Sequence, residues 1–253
     1  MDQEQVYNVI VKSLEEGKPL CINRLGDGES LLIHTGEDTQ PKRLDWFLNN
    51  QFGFVMERKY VLEIKQFVLD GYSNADIIGM PTPFHRESCG AYWAVAEEKL
   101  NKLAPKTIKT PTCSIDVHSE LLQSGLLGKL IESQSDLIYV SCRNLTKGFK
   151  SKFKLDNVYA YHLTEEQRYA INKVKSEYYP KQYNEIIEFI NNTDCKGKLC
   201  LVGAGLLGKY YCWKFKEAGG IAIDIGNVMD KFAGLITRGK GKGAGNIDNT
   251  YKL

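Results

Sequence analysis

The sequence predicts an α/β fold: a mainly parallel sheet with helices on both faces. Two observations carry this. Short apolar runs at 20–25, 136–141 and 199–202 read as buried strands, and stretches with apolar residues at helical spacing separate them. Strands and helices alternating in this way form the crossover connections of a parallel sheet. No internal repeat, long linker or low-complexity block divides the 253 residues, so one domain over 1–253 is expected. The exception is 239–245 (GKGKGAG), whose composition is flexible and marks a C-terminal segment at about 238–253. The expected architecture is a single-domain, Rossmann-like sandwich.

Val6, Val9, Ile10 and Leu14 recur at helical spacing, so the chain opens with a helix ending near Gly17 and Pro19. A strand over 20–25 follows and runs through Gly26 into the start of a helix. Residues 43–50 give a short helix, and Val61, Ile64 and Val68 mark a firmer one. A strand at 76–80 is stopped by Pro81 and Pro83. Residues 86–103 read as helix and 107–113 as an ambiguous strand. In the second half, 119–132 reads as a Leu-rich helix despite Gly125 and Gly128, followed by strands at 136–141 and 158–162. Tyr183, Ile186, Ile187 and Ile190 share a helix face. A strand at 199–202, a helix at 206–217 and a final strand at 221–225 complete the pattern.

Hydrophobic residues make up 43% of the chain and charged residues 25%, ordinary for a soluble globular protein. A formal charge of +2 is too small to argue for nucleic acid; the one local excess is Arg238, Lys240 and Lys242. The 7 cysteines show no metal-ligand spacing and suit a reducing compartment better than a disulfide framework. The N-terminal stretch is amphipathic and acidic, and no apolar run approaches the roughly 20 residues that span a bilayer. A cytoplasmic protein is expected, with room for peripheral membrane contact through partners or the basic tail. Oligomeric state stays open.

The chemistry begins at 20–33, LCINRLGDGESLLI. An apolar strand passes through Arg24, Gly26 and Gly28, with Asp27 and Glu29 two apart across a glycine. In an extended segment two such residues point the same way, and convergent carboxylates attract a hard cation such as Mg²⁺ or Mn²⁺. On spacing alone, an Asp27 helix cap with Glu29 in the first turn accounts for the pair at least as well.

A second turn lies at 198–224: strand, Gly203-Ala-Gly205-Leu-Leu-Gly208, helix, and a strand ending at Asp224, 19 positions beyond Gly205. Taken alone this is the dinucleotide-binding fingerprint. Only 45 residues follow Gly208, too few for the strands that complete such a site. A glycine turn holding a nucleotide's phosphates or ribose, and a plain tight turn, remain as readings.

The stretch NRLGDGE at 23–29 resembles the R-x-GDGE signature of the GT-D-type bacterial glycosyltransferases. The stretch LVGAGLLGKYYCWKFKEAGGIAIDIGNVMDKFAGLITR at 201–238 is similar to that family's C-terminal region, where a glycine turn, a helix and a strand ending in an IDIG-like sequence follow one another. The resemblance covers both ends in the family's order and leaves about 40–135 unmatched. It implies transfer of a hexose from a nucleotide sugar, with UDP-glucose the best-known donor type, to a glycan of a glycoprotein or surface polysaccharide. It further implies that Asp27 and Glu29 hold Mn²⁺ or Mg²⁺ against the donor diphosphate, and that Arg24 matches the signature arginine. A non-catalytic nucleotide-binding module is the alternative, and an NAD(P)-linked oxidoreductase ranks last.

Other candidates follow from position. Gly26, Gly28, Gly203, Gly205 and Asp224 flank the two turns as donor-binding residues. Arg143, beside Asn144 after the 136–141 strand, lies where open α/β sheets gather ligands. Arg238, with Lys240 and Lys242, could fold over a diphosphate. Asp116 and His118 (CSIDVHSE) could deprotonate an acceptor hydroxyl or cap a helix; Asp230 is a third base candidate. His85 could belong to an acceptor loop, and Tyr159, Tyr161, Tyr178, Tyr179 and Tyr183 could offer sugar-stacking rings.

Overall fold

The structure, a computed structural model, describes residues 1–36, 42–88, 91–165, 178–237, 247 and 249–253. The opening helix α1 (Gln3–Glu16) is closed at its start by an Asp2–Gln5 capping box and at its end by Gly17 in the left-handed conformation. Strand β1 (Leu20–Arg24) leads into α2 (Asp27–Ile33), then α3 (Lys42–Phe52), α4 (Arg58–Ser73) and β2 (Ile77–Met80). Short helices α5 (Pro83–Ser88), α6 (Ala91–Ala94) and α7 (Ala96–Leu103) precede β3 (Thr112–Ser114). Then come α8 (Val117–Gln123), α9 (Leu126–Glu132), β4 (Asp136–Ser141), α10 (Thr146–Phe153) and β5 (Asn157–His162). The last third holds α11 (Tyr183–Asn192), β6 (Leu199–Gly203), α12 (Gly208–Glu217), β7 (Ile221–Asp224) and α13 (Val228–Phe232).

The strands form one seven-stranded sheet in the order β3-β2-β1-β7-β6-β4-β5, with every pairing parallel. The four central strands are almost wholly apolar and buried, as strands covered on both sides must be. Alternating side chains feed two cores. One gathers Cys21, Val202 and Ala222 with α2, α3, α4, α11 and α12. The other gathers Ile22, Leu201 and Ile223 with α1, α8, α9, α10 and α13. The predicted α/β sandwich with a parallel sheet is what forms.

Four readings need correction. The helix expected over 119–132 is two helices, because Gly125 takes φ +76° and turns the chain between them. The ambiguous strand at 107–113 is mostly a 3₁₀ turn (Pro105–Lys109), with β3 reduced to three residues. The helix expected over 86–103 is interrupted at Val95, between α6 and α7, and neither α10 nor α13, which carries Asp230, was read from the sequence. Among the described residues, no helix is long and apolar enough to cross a membrane.

The topology determines what meets at the C-terminal edge of the sheet. The connections after β1 and β6 leave toward the first core, and those after β7 and β4 toward the second. Neighbouring strands therefore send their turns to opposite sides across β1-β7-β6-β4. Ligands of open α/β sheets lie in such places.

Candidate functional site

β1 ends at Arg24, and Gly26 is the N-cap of α2, with no side chain to satisfy the freed amides. Because the helix starts at Asp27, Asp27 and Glu29 point about 200° apart around its axis instead of side by side. Asp27 faces solvent, its Oδ1 accepting the Gly28 N–H at 3.0 Å. Glu29 is 5% exposed and turned inward. Neither serves as the helix cap.

Glu29 meets a residue that the sequence did not flag. Lys209, in the first turn of α12, places Nζ 2.5 Å from Glu29 Oε1 and 3.0 Å from Asp224 Oδ2. Asp224 is the last residue of β7, and its Oδ1 accepts from Arg24 Nη2 and from the Gly226 N–H, each at 3.1 Å. Arg24 Nε donates to the Asp224 carbonyl at 3.0 Å. Two cations and two anions thus close on one another behind the turns after β1, β6 and β7. Burial alone would raise the Asp224 carboxyl, but the Arg24 and Lys209 charges override it and hold it at about 2. Burial likewise opposes charge on Lys209, yet Asp224 and Glu29 keep its ammonium above the usual lysine value. At Gly226, φ is +46° and an added Cβ would stand 2.2 Å from Arg24 Nη2, so glycine there makes room for the guanidinium.

His118, on α8, completes the cluster. Arg24 Nη1 lies 3.2 Å from its Nδ1 and 3.0 Å from its Nε2, and Nε2 is 3.1 Å from Asn227 Oδ1. The consistent assignment has Nε2–H donating to Asn227 and Nδ1 accepting from Arg24. Burial first, and then the Arg24 charge, push the imidazole well below its ordinary value, so it is neutral at pH 7. Its lone pair orients Arg24 instead of facing an acceptor hydroxyl.

The remaining candidates separate. Asp230 Oδ1 accepts from Arg143 Nε at 2.7 Å and its Oδ2 from Thr237 Oγ1 at 2.6 Å, while Arg143 Nη1 reaches Glu165 at 2.5 Å. Arg143 and Asp230 are partners in a buried strut between the β4 turn and α13, a poor setting for a free base. Asp116 occupies the N-cap position of α8 yet makes no capping bond, leaving its carboxylate half-exposed. Gly203 lies under Met229, and Gly205 lies against the buried Gln51 amide, where a Cβ would stand 1.8 Å from Nε2. Tyr178 and Tyr179 are core residues. Arg238, Lys240 and Lys242 lie outside the described residues.

The implied metal can be tested against this donor set. Among the described residues, no group of three or more His, Cys, Asp or Glu side chains gathers to hold a metal ion. Glu29 is neutralised by Lys209 and offers no free carboxylate. Asp27 does, and one carboxylate completed by substrate phosphates is an ordinary setting for Mg²⁺. The site thus fits a cation shared between Asp27 and a bound diphosphate. It does not suit a dinucleotide. Asp224, which would have to hold the ribose hydroxyl, is buried and paired with Arg24 and Lys209.

The residues missed from sequence are Lys209, Asn227, Thr237 and Gln51. A signal existed for Lys209: it precedes the buried Cys212 by three positions, one helical turn away. A lysine on an apolar stripe announces a buried partner.

Comparison with known proteins agrees with this fold. No curated protein matches the chain. Two solved structures resemble it. One is a selenomethionine-substituted structure of domain of unknown function 1792, with a TM-score of 0.53 and 14% identity over 90% of this chain and 78% of that one. The other is described as "the highly conserved domain of unknown function 1792 has a distinct glycosyltransferase fold", with a TM-score of 0.51 and 15% identity over the same shares. At such identities the likeness speaks for the fold. The GT-D-like family, described as a GT-D fold-like domain, matches residues 1–232, and the chain belongs to that family.

Proposed function

We propose that the protein is a cytoplasmic glycosyltransferase that moves a hexose from a UDP-sugar to a hydroxyl of a glycan on a glycoprotein or surface polysaccharide. The observation that carries this reading is the contact between Lys209 Nζ and Glu29 Oε1. It ties the acidic turn after β1 to the glycine turn after β6, so the two sequence features flank one place at the C-terminal edge of the sheet. Helix α2 begins there with Gly26 at its N-cap, and the turn Gly205–Leu207 that leads into α12 likewise has no side-chain cap. Such helical starts favour an anion such as a diphosphate. Asp27 would hold a divalent cation, which when bound neutralises charge on the departing nucleoside diphosphate. The buried Arg24–Asp224–Lys209–Glu29 cluster keeps both turns in place while donor enters and product leaves.

Thermal unfolding with nucleotide sugars, with NAD(P), and with or without Mn²⁺ tests the reading. A UDP-hexose near one hundred times its Kd adds about 2.7 kcal/mol. For a chain of this size that is a rise of about 5–10 °C in midpoint. The rise is expected to shrink when metal is removed and in Asp27→Ala. Stabilisation by NAD alone, indifferent to metal, would refute the proposal.

A further inference from the structure

At the ends of β2 and β3, beside the cluster just described, lies a second constellation. Asp116 is 49% exposed, and its Oδ2 is 3.4 Å from His85 Nε2. His85 Nδ1 is 2.7 Å from Thr82 Oγ1. With Thr82 O–H donating to Nδ1, the proton of the imidazole sits on Nε2, the nitrogen beside Asp116. The imidazole packs against Trp93 at 5.1 Å and lies edge-on to Phe84 at 5.7 Å. Trp93 is 9% exposed, yet its Nε1–H has no hydrogen-bond partner among the described residues. Phe84 is 69% exposed.

The place matters as much as the composition. Asp116 is two residues before His118, which is bonded to Arg24. Two residues of chain span at most about 7 Å, so the constellation adjoins the donor cluster. Asp116 is not consumed as a helix cap. An open aromatic face beside a half-exposed carboxylate matches a pyranose: C–H face and hydroxyl proton.

Building on the glycosyltransferase reading, we propose that Asp116, His85, Trp93 and Phe84 form the acceptor-sugar site. Asp116 is the general base, and His85 is the positioning residue that aims it. In the step, the acceptor oxygen forms a bond to the donor's anomeric carbon while the bond from that carbon to the diphosphate oxygen breaks. The bonding pair leaves with the nucleoside diphosphate, and the acceptor proton passes to the Asp116 carboxylate. The sugar's C–H face lies on the exposed ring of Phe84.

The test uses the full chain with UDP-glucose, UDP-galactose, UDP-N-acetylglucosamine and UDP-N-acetylgalactosamine, taking whichever the wild type cleaves. UDP release is measured together with UDP affinity by calorimetry. Asp116→Asn is expected to lower cleavage by about 100-fold, the usual scale for a lost base, with UDP affinity kept within about twofold. His85→Gln should lower it less, by about tenfold, also with UDP affinity kept. Added azide, an anion needing no base, should restore cleavage in Asp116→Asn. If both variants cleave like wild type, if UDP affinity falls in parallel, or if azide restores nothing, the acceptor site is refuted while the donor reading stands. If the wild type neither binds UDP nor cleaves any of the four sugars, the glycosyltransferase reading fails and takes this site with it.

Discussion

Lys209→Met is expected to lower unfolding stability at pH 7 by about 3–5 kcal/mol, because it leaves Glu29 and Asp224 as buried charges short of a partner. Methionine keeps most of the volume, so the loss reports charge and not a cavity. Urea titration reads it directly, and the thermal midpoint should fall by about 10 °C. The pH dependence adds a sharper sign. Asp224 has its folded pKa lowered to about 2, so its contribution is present above the unfolded aspartate value and fades as pH falls toward 2. Between about pH 4 and 2 the wild type should therefore lose stability faster than the variant, and the two curves should converge. Curves that stay parallel across that window would show that Lys209 is not what holds the Asp224 charge.

Arg24→Lys should cost about 2–3 kcal/mol and lower transferase activity by about 100-fold, although the charge is preserved. The guanidinium reaches the Asp224 carbonyl, the Asp224 carboxylate and His118 from three different nitrogens. A lysine ammonium supplies one point where a planar fork supplied three. The loss should appear as a lower kcat together with weaker UDP binding, because Arg24 sits between the turns after β1 and β7. Retained UDP affinity and full activity in Arg24→Lys would mean that the fork has no part in shaping the donor site.

Each prediction rests on at least one contact between opposite ends of the chain, Lys209 with Glu29 and Arg24 with Asp224, which shows where the sequence was legible and where it was not. The strands were readable because four central segments are nearly unbroken apolar runs, a pattern that only burial on both faces explains. The acidic turn and the glycine turn were readable as motifs, since each is local. Their relation was not, because it depends on β1 and β6 both bordering β7, a property of strand order. Asp27 and Glu29 illustrate the limit within a single motif. Two residues apart, they converge in a strand and diverge in a helix, and the helix starts at the first of them. His118 was read as a base or a helix cap, whereas in the structure it is buried beside Arg24, which no local pattern announces. Asp230 shows the reverse error: a carboxylate near the right edge whose two oxygens are both engaged by Arg143 and Thr237.

The central claim is that the turns after β1 and β6 are the two walls of one donor site, joined through Lys209, Glu29, Asp224 and Arg24. Hydrogen–deuterium exchange of the full chain with the UDP-hexose that stabilises it most, in the presence of Mn²⁺, tests this directly. Amides at 24–33 and at 203–209 should gain protection together and at the same ligand concentration. Protection confined to one of the two turns, or produced equally by NAD without metal, would contradict it.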